Sequence, residues 1–383
     1  MRQPTFYEFF AGGGMARAGL GPGWRCLFAN DFDRKKAETY RANWGSGELH
    51  VGDVREVKTE QLPGQADLVW ASFPCQDLSL AGLGAGLAGE RSGTFWPFFE
   101  IVKRLRAEGR QPPLLALENV CGALTSHGGK DFVAICEALG GEGYRFGALV
   151  IDAALFVPQS RPRLFIVAVR EDVAVPAGLL GAEASEPFAT KGLIAAQARL
   201  PQQLRKNWLW WRLPTPPPPN RTFSEIIEDE PQGVVWHTRE ETQTLIAKMS
   251  EVNLAKIADA KKAGRKMVGT AYRRTRYNSA GEKMQRVEAR FDGLSGCLRT
   301  PAGGSSRQFV MIVEKNRIRS RLISARETAR LMGLDENYHL ADNYNEAYHL
   351  TGDGVVVPAV QHLSENLFRT IIDGRFLSKK EAA

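Results

Sequence analysis

Over its first 170 residues the chain alternates short apolar runs with amphipathic segments, and the residues able to do chemistry fall just after the apolar runs. Such alternation marks βαβ units, which bury their strands in a mostly parallel sheet covered by helices. Strands are predicted at 5–10, 25–30, 66–71 and 114–117, with a closing antiparallel pair at 144–151 and 164–169. Helices are predicted at 34–43, 96–106 and 131–139. The ends of these strands carry a glycine loop, Asn30-Asp31, Pro74-Cys75-Gln76 and Glu118-Asn119-Val120. Open α/β sheets bind their ligands at that edge.

The pattern breaks after Arg170. Four consecutive prolines at 216–219, the tryptophans Trp208, Trp210 and Trp211, and a basic run from Lys261 to Arg276 follow without repeat or clean alternation. This is read as a second domain or a large insertion. Order returns at Ser324-Ala325-Arg326-Glu327, a capping box that opens a helix through Met332, with Gly333 as its stop. The last segment turns at Gly352-Asp353-Gly354-Val355 and enters an apolar helix ending near Ile371. The expected division is 1–170, 171–345 and 346–383.

The formal net charge of +7 favours a polyanionic partner without requiring one. The five cysteines form no CxxC pair and have no histidine at ligand spacing, which argues against a zinc site and a disulfide framework. No metal is expected. There is no secretory leader and no apolar run of membrane-spanning length, so a soluble, intracellular protein is expected.

Phe10-Ala11-Gly12-Gly13-Gly14 joins a strand to a helix, and its glycines allow close backbone approach to a ligand. A tight turn without a ligand fits the same residues equally well. Asp31 can accept hydrogen bonds from ribose hydroxyls, Phe32 can stack on adenine, and Asp53 can read the adenine amino group. That trio suits S-adenosylmethionine or NAD; the alternative is that Asp31 and Asp53 cap helices. Cys75 follows a strand and precedes the glycine-rich stretch Ala81-Gly82-Leu83-Gly84-Ala85-Gly86-Leu87-Ala88-Gly89, the setting of a nucleophile beside a movable lid rather than of a small core residue.

Taken in order, these motifs resemble those of the DNA cytosine-C5 methyltransferases, over nearly the whole chain. The resemblance implies a Rossmann-like, S-adenosylmethionine-dependent α/β catalytic domain with a smaller, irregular target-recognition domain between the doubled arginine (Gln159-Ser160-Arg161-Pro162-Arg163) and the 326–333 helix. It implies Cys75 as nucleophile, Glu118 as partner of cytosine N3, and Arg161 and Arg163 as clamp on the base or the carboxylate. Phe10, Ala11, Gly12, Gly13, Gly14, Asp31, Phe32, Asp53, Val54, Pro74, Phe95, Asp353 and Val355 would line S-adenosylmethionine. Gln76, Ser79, Arg299, Thr300, Gly303, Gly304, Arg307 and Gln308 would meet DNA. Three positions depart from the family pattern: Glu8 where Asp is usual, Met15 in place of a final Gly, and Gly352-Asp353-Gly354-Val355 in place of Gly-Asn-Ser-Val.

The reaction so implied is methylation of a flipped-out cytosine in a specific double-stranded DNA sequence, since C6 is out of a thiolate's reach inside a duplex. The expected enzyme is a cytoplasmic, nucleoid-associated monomer with no membrane partner, and a cognate restriction endonuclease is a partner the resemblance allows. Three rivals remain at this stage: the same chemistry on tRNA, whose branch carries a Cys-Phe-Thr element not found between 171 and 320; a non-catalytic DNA-binding relative; and a nicotinamide oxidoreductase, for which Pro74-Cys75-Gln76 has no role.

Overall fold

The structure, a computed structural model, describes residues 2–74, 92–277, 281–300 and 307–374. Two units emerge: residues 1–152, 162–216 and 355–383 form the first, and residues 153–161 and 217–354 the second.

The first unit is built on β1 (Thr5–Phe9), α1 (Met15–Leu20), β2 (Arg25–Asp31), α2 (Arg34–Trp44), β3 (Leu49–Val51), β4 (Leu68–Ala71), α3 (Phe95–Ala107), β5 (Leu114–Val120), α4 (Lys130–Gly141), β6 (Tyr144–Asp152) and β7 (Pro162–Arg170). Its seven-stranded sheet has the order β3-β2-β1-β4-β5-β7-β6. The first five strands pair in parallel, and β7 runs antiparallel to both β5 and β6. Strand order reverses between β1 and β4, so the crevice beyond their C-terminal ends is the switch point at which such sheets bind ligands. The predicted strands and the antiparallel closing pair are all present.

Helix α3 shows why this half folds. Phe95, Phe98, Phe99, Val102 and Leu105 recur at helical spacing, and all are buried. They pack with Phe9 and Phe28 from the strands and with Phe73 just after β4. Each such ring contributes roughly 1.5–3 kcal/mol of burial.

The first unit extends past the expected break at residue 170. β8 (Leu180–Gly181), α5 (Lys191–Ala198), α6 (Gln202–Lys206) and β9 (Trp210–Trp211) belong to it. Trp208 lies edge-on to Phe132 and Phe146, adding its indole to the first core. The segment lacks alternation because it covers that core with isolated large side chains.

The second unit contains α7 (Phe223–Ile226), α8 (Arg239–Ala247), α9 (Glu251–Lys262), β10 (Met267–Tyr277), β11 (Lys283–Arg290), β12 (Gln308–Glu314), β13 (Arg317–Leu322), α10 (Ala325–Leu331) and α11 (Tyr344–Asp353). Its antiparallel sheet has the order β11-β10-β12-β13. Leu245, Ile257, Val287, Phe309 and Met311 form its core. The predicted capping box is present: Ser324 Oγ accepts from Glu327 N, and Ser324 N donates to the Glu327 carboxylate.

The last helix, α12 (Val357–Leu363), belongs to the first unit and packs on α1. Gly19 makes this packing possible: a Cβ there would lie 2.4 Å from Val360 Cβ and 2.6 Å from the Val357 carbonyl oxygen. Gly19→Ala should therefore destabilise the protein by about 1–3 kcal/mol, the usual cost of overpacking. Urea unfolding checks this; an unchanged midpoint would show that α12 yields at no cost.

Candidate active site

The glycine loop leaves β1 through the left-handed region of backbone space. Phe10 has φ 59°, Gly12 56° and Gly14 77°. A bulky residue at positive φ is strained and needs its neighbours to hold it. Ala11 N donates to the Asn30 carbonyl at 2.9 Å, and Gly12 N to Asp31 Oδ2 at 2.7 Å. Gly14 cannot be replaced, because a Cβ there would lie 2.4 Å from Trp44 Nε1. The same indole N–H donates to the Gly13 carbonyl at 3.0 Å, a support for the loop that sequence reasoning missed.

Asp31 is buried, and its second oxygen accepts from Asp33 N at 2.8 Å. Burial raises its pKa, against Lys36 and the two backbone donors. The helix-cap alternative falls on Asp33, whose carboxylate accepts from Lys35 N and Lys36 N at the start of α2. A carboxylate has about four acceptor positions, and Asp31 spends two of them on these amides. Beside it the Phe32 ring is 72% exposed, an unusual position for a large apolar side chain. Among the described residues no side chain crowds the space above Gly12. An acceptor, an exposed ring and an open backbone edge fit a nucleoside, so these residues suit S-adenosylmethionine.

Other expected cofactor residues are placed differently. Asp53 caps the turn at Val54–Glu56 and makes a two-pronged ion pair with Arg55, at 2.6 Å for the shorter contact. The Arg55 hydrogen bond lowers its pKa. The capping alternative thus describes Asp53 in this structure. Phe95 was expected to line the cofactor; its ring is fully buried against Phe73 and Phe99. It opens the apolar stripe of α3, a signal that its place after a polar segment obscured. Val54 and Val355 are buried, Ala11 nearly so. Asp353 belongs to the second unit, where it accepts from the Thr300 hydroxyl.

At the neighbouring strand ends, Asn119 Nδ2 donates to the Phe73 carbonyl at 3.1 Å, while its Oδ1 accepts from Val120 N at 2.8 Å. This ties the end of β5 to the segment entering Pro74. Glu118 is buried, and Arg163 Nε lies 3.4 Å from its Oε1. Arg163 reaches it from β7, where it pairs with Val120.

The doubled arginine divides between the two units. Arg161, expected as part of a clamp on the base or carboxylate, is buried in the second unit. It donates to the carbonyls of Leu298 (2.6 Å), Gly352 (2.8 Å) and Gly354 (2.8 Å). These bonds commit its guanidinium to backbone, so it holds loops together rather than presenting charge to a base. Gln308, expected at base edges, is also buried, its amide near the Cys297 carbonyl at 3.4 Å. Its place at the start of β12 turns it inward. Arg307 bonds Asn345 Oδ1 at 2.5 Å and lies over the Tyr344 ring. Arg299 is exposed. Cys75, Gln76, Ser79, the 81–89 stretch, Gly303 and Gly304 lie outside the described residues.

Chain comparisons agree with this architecture. The family of C-5 cytosine-specific DNA methylases matches residues 4–369, and the chain belongs to that family. Its members transfer a methyl group from S-adenosylmethionine to C5 of cytosine in DNA. The Type II methyltransferase M.BsuFI of Bacillus subtilis is 36% identical over 173 residues, 45% of this chain and 40% of that one. The Type II methyltransferase M.HpaII of Haemophilus parainfluenzae is 24% identical over 96% of this chain and 90% of its own. The chain thus spans under half the length of the first relative and most of the second. Among solved structures, S. pombe Dnmt2 methyltransferase superposes with TM-score 0.56 at 15% identity, covering 94% of this chain and 97% of its own. The Entamoeba histolytica methyltransferase EhMeth gives 0.59 at 14%, covering 97% and 99%. At that identity the likeness is one of fold, the Rossmann-like methyltransferase fold.

Glu8, on β1 beneath the glycine loop, is buried, and its Oε2 has no hydrogen-bond partner among the described residues. Burial pushes its carboxyl up to about 8, against the pull of Arg17 and with a further push from the Asp31 charge. An acid whose folded pKa is raised favours folding at low pH. The contribution is full below the ordinary value of 4.5 and is lost as pH rises through about 8. Glu8→Gln should flatten the decline of melting temperature between pH 5 and 9 and leave the variant more stable than wild type at pH 9. A parallel decline in both proteins would place the dependence elsewhere.

Proposed function

We propose that this chain methylates C5 of cytosine in a specific double-stranded DNA sequence, through a covalent bond between Cys75 and C6. The observation that carries the reading is the arrangement at the ends of β4 and β5. Asn119 fixes the Phe73 carbonyl just before Pro74-Cys75, and Glu118 at the end of β5 is paired with Arg163 from the neighbouring β7. Burial raises the thiol pKa of Cys26 (to about 12), Cys121 and Cys136, which suits these three to structural roles, and Cys297 Sγ is engaged by Arg161 and the Leu298 carbonyl, so Cys75 is the cysteine best suited to act as nucleophile.

The sulfur of Cys75 bonds to C6, and the C5–C6 π electrons move to C5 and, through the conjugated C4–N3 bond, onto N3. A protonated Glu118, positioned beside Arg163, donates a hydrogen bond to N3 and stabilises the negative charge developing on the ring. S-adenosylmethionine supplies the methyl group to C5 and leaves as the neutral thioether. A base then takes the C5 proton, the S–C6 bond breaks, and the thiolate is restored. Asp31, Phe32 and the 10–14 loop hold the nucleoside end of the cofactor, while Arg161 acts as a positioning residue for the Leu298 and Gly352–Gly354 backbone.

The second unit chooses the sequence on this reading, with Gln76 and Ser79 from the segment after the nucleophile. Arg299, Thr300, Gly303, Gly304 and Arg307 would lie on its DNA-facing side. The Type II naming of the relatives supports a cognate restriction endonuclease as partner, and nucleoid DNA in the cytoplasm as the place of action. Among the described residues no helix is long and apolar enough to cross a membrane.

Two measurements test this. Duplex DNA carrying 5-fluorocytosine should trap wild type as a denaturation-resistant adduct and leave Cys75→Ser untrapped; equal trapping would remove Cys75 from the chemistry. Losing a charge-assisted hydrogen bond costs roughly 1.5–3 kcal/mol. Asp31→Ala should thus weaken S-adenosylhomocysteine binding by about one to two orders of magnitude in calorimetry and leave DNA affinity near wild type. Unchanged cofactor affinity would take Asp31 out of the binding site.

A further inference from the structure

The second unit carries a charged ribbon that its own sheet does not support. β10 pairs with β12 only from Met267 to Tyr272. With β11 it pairs on to Tyr277, against Lys283. Residues 273–277 and their partners 283–287 therefore extend past β12 and β13, braced at the root by a bridge between Val287 and Met249. All five residues from 273 to 277 are exposed. A two-stranded ribbon without a hydrophobic face is marginal in water, so its persistence in the fold calls for another explanation.

Strand alternation sorts its side chains. One face carries Arg273, Thr275 and Tyr277, opposite Val287, Gln285 and Lys283. Its root is covered: Val287 is buried, and the Arg273 guanidinium lies 5.2 Å from the centre of the Phe309 ring. The other face carries Tyr272, Arg274 and Arg276, opposite Glu288, Arg286 and Met284. There Arg274 stands directly across from Arg286, a like-charge pair that costs stability in a sheet. Glu288 is the carboxylate on that face, bonded to Arg276 at 2.7 Å and 3.7 Å from Arg274. Arg286 has no ion-pair partner among the described residues. Two exposed guanidiniums thus share one carboxylate, and a third, on half-buried Arg286, has none among the described residues.

Only an anion presenting several charges at strand spacing relieves that arrangement. Five extended residues reach about 17 Å, and a two-stranded ribbon fits the major groove of B-DNA, roughly 12 Å wide. We propose that the arginine face of this ribbon lies against the DNA duplex, with Arg274 and Arg286 as its contacting pair. The inference rests on the DNA-methylating reading above and assigns one element of the second unit to the substrate. It also explains the like-charge pair, a cost in the free protein that DNA removes on binding.

The test compares the two faces. Arg274→Ala/Arg286→Ala should weaken binding of duplex DNA about tenfold or more and make the dependence of log K on log salt shallower by about one to two units, the signature of lost phosphate contacts. A shift in the methylated sequence, read by bisulfite sequencing, carries the same conclusion through base contacts. Thr275→Ala/Gln285→Ala, on the opposite face, should bind as wild type. The melting temperature of the free arginine variant should hold or rise, because a repulsion has been removed, and S-adenosylhomocysteine affinity should not move. Unchanged affinity, salt slope and methylated sequence in the arginine variant, or a larger loss from the Thr275/Gln285 variant, would overturn the proposal. The wild-type protein separates the two layers: methylation of DNA by wild type with an indifferent arginine variant sinks the ribbon alone, whereas absence of methylation by wild type sinks the reading beneath it.

Discussion

Strands of a parallel sheet end in backbone groups that have no further ladder partner, and the rest of the first unit depends on how those ends are satisfied. This chain does it with buried polar side chains. Asn30 donates to the carbonyls of His50 and Gly52, joining β2 to the segment after β3. Asp31 accepts from Gly12 and Asp33, joining β2 to the glycine loop. Asn119 joins β5 to the residues after β4. A buried polar group left unpaired costs about 1–3 kcal/mol, so each of these side chains fixes its loop as firmly as a core residue fixes a helix. The glycine loop and the segment entering Pro74 are thereby held by the sheet, and Asp31 keeps acceptor positions to spare.

The two arginines of the Arg161-Pro162-Arg163 segment show how little sequence separation constrains role. Two residues apart on a strand, their side chains share a face, yet Pro162 opens β7 and Arg161 precedes it. Arg163 lies in the ladder and meets a carboxylate. Arg161 lies outside it and meets three carbonyls. Guanidinium suits both tasks because its planar fork can serve a carboxylate or several carbonyl oxygens at once.

Much of the first unit was legible because its strands are apolar runs between turn residues. Where those runs become polar the reading stopped short: the strand predicted at 114–117 continues as β5 through Glu118 and Asn119 to Val120. The polar end is the useful end, so a criterion based on apolarity trims away the residues of interest. The segment 171–216 falls with the first unit because Trp208 and Trp210 join the first core from a bridge and a two-residue strand too short to show alternation. The sheet of the second unit was not legible. β12 is an almost unbroken apolar run, the exposed end of β10 is mostly arginine, and β11 mixes Lys, Gln, Arg and Glu among its few apolar residues, so none shows the apolar period of a half-buried strand. Phe95 and Gln308 were placed at ligands because residues around them match a motif; their burial follows from the faces of α3 and β12, which a motif does not encode.

A unit that carries an unsupported ribbon must be held together elsewhere, and in the second unit that place is Arg321. Its side chain and that of Glu327 are wholly inaccessible and joined by bonds of 2.6 and 2.8 Å. Arg321 also donates to the Glu228 carbonyl, and the Glu327 carboxylate receives Ser324 N and Glu228 N. One ion pair therefore ties β13, the start of α10 and the chain after α7. Breaking such a pair from one side strands a buried charge at a cost of about 3–5 kcal/mol, whereas removing an exposed arginine from the ribbon costs little. The same residue type thus supplies rigidity where it is buried with its own carboxylate and leaves charge for a partner where three guanidiniums on one ribbon face stand beside a single carboxylate. That division lets one small unit be both a stable scaffold and a surface suited to DNA.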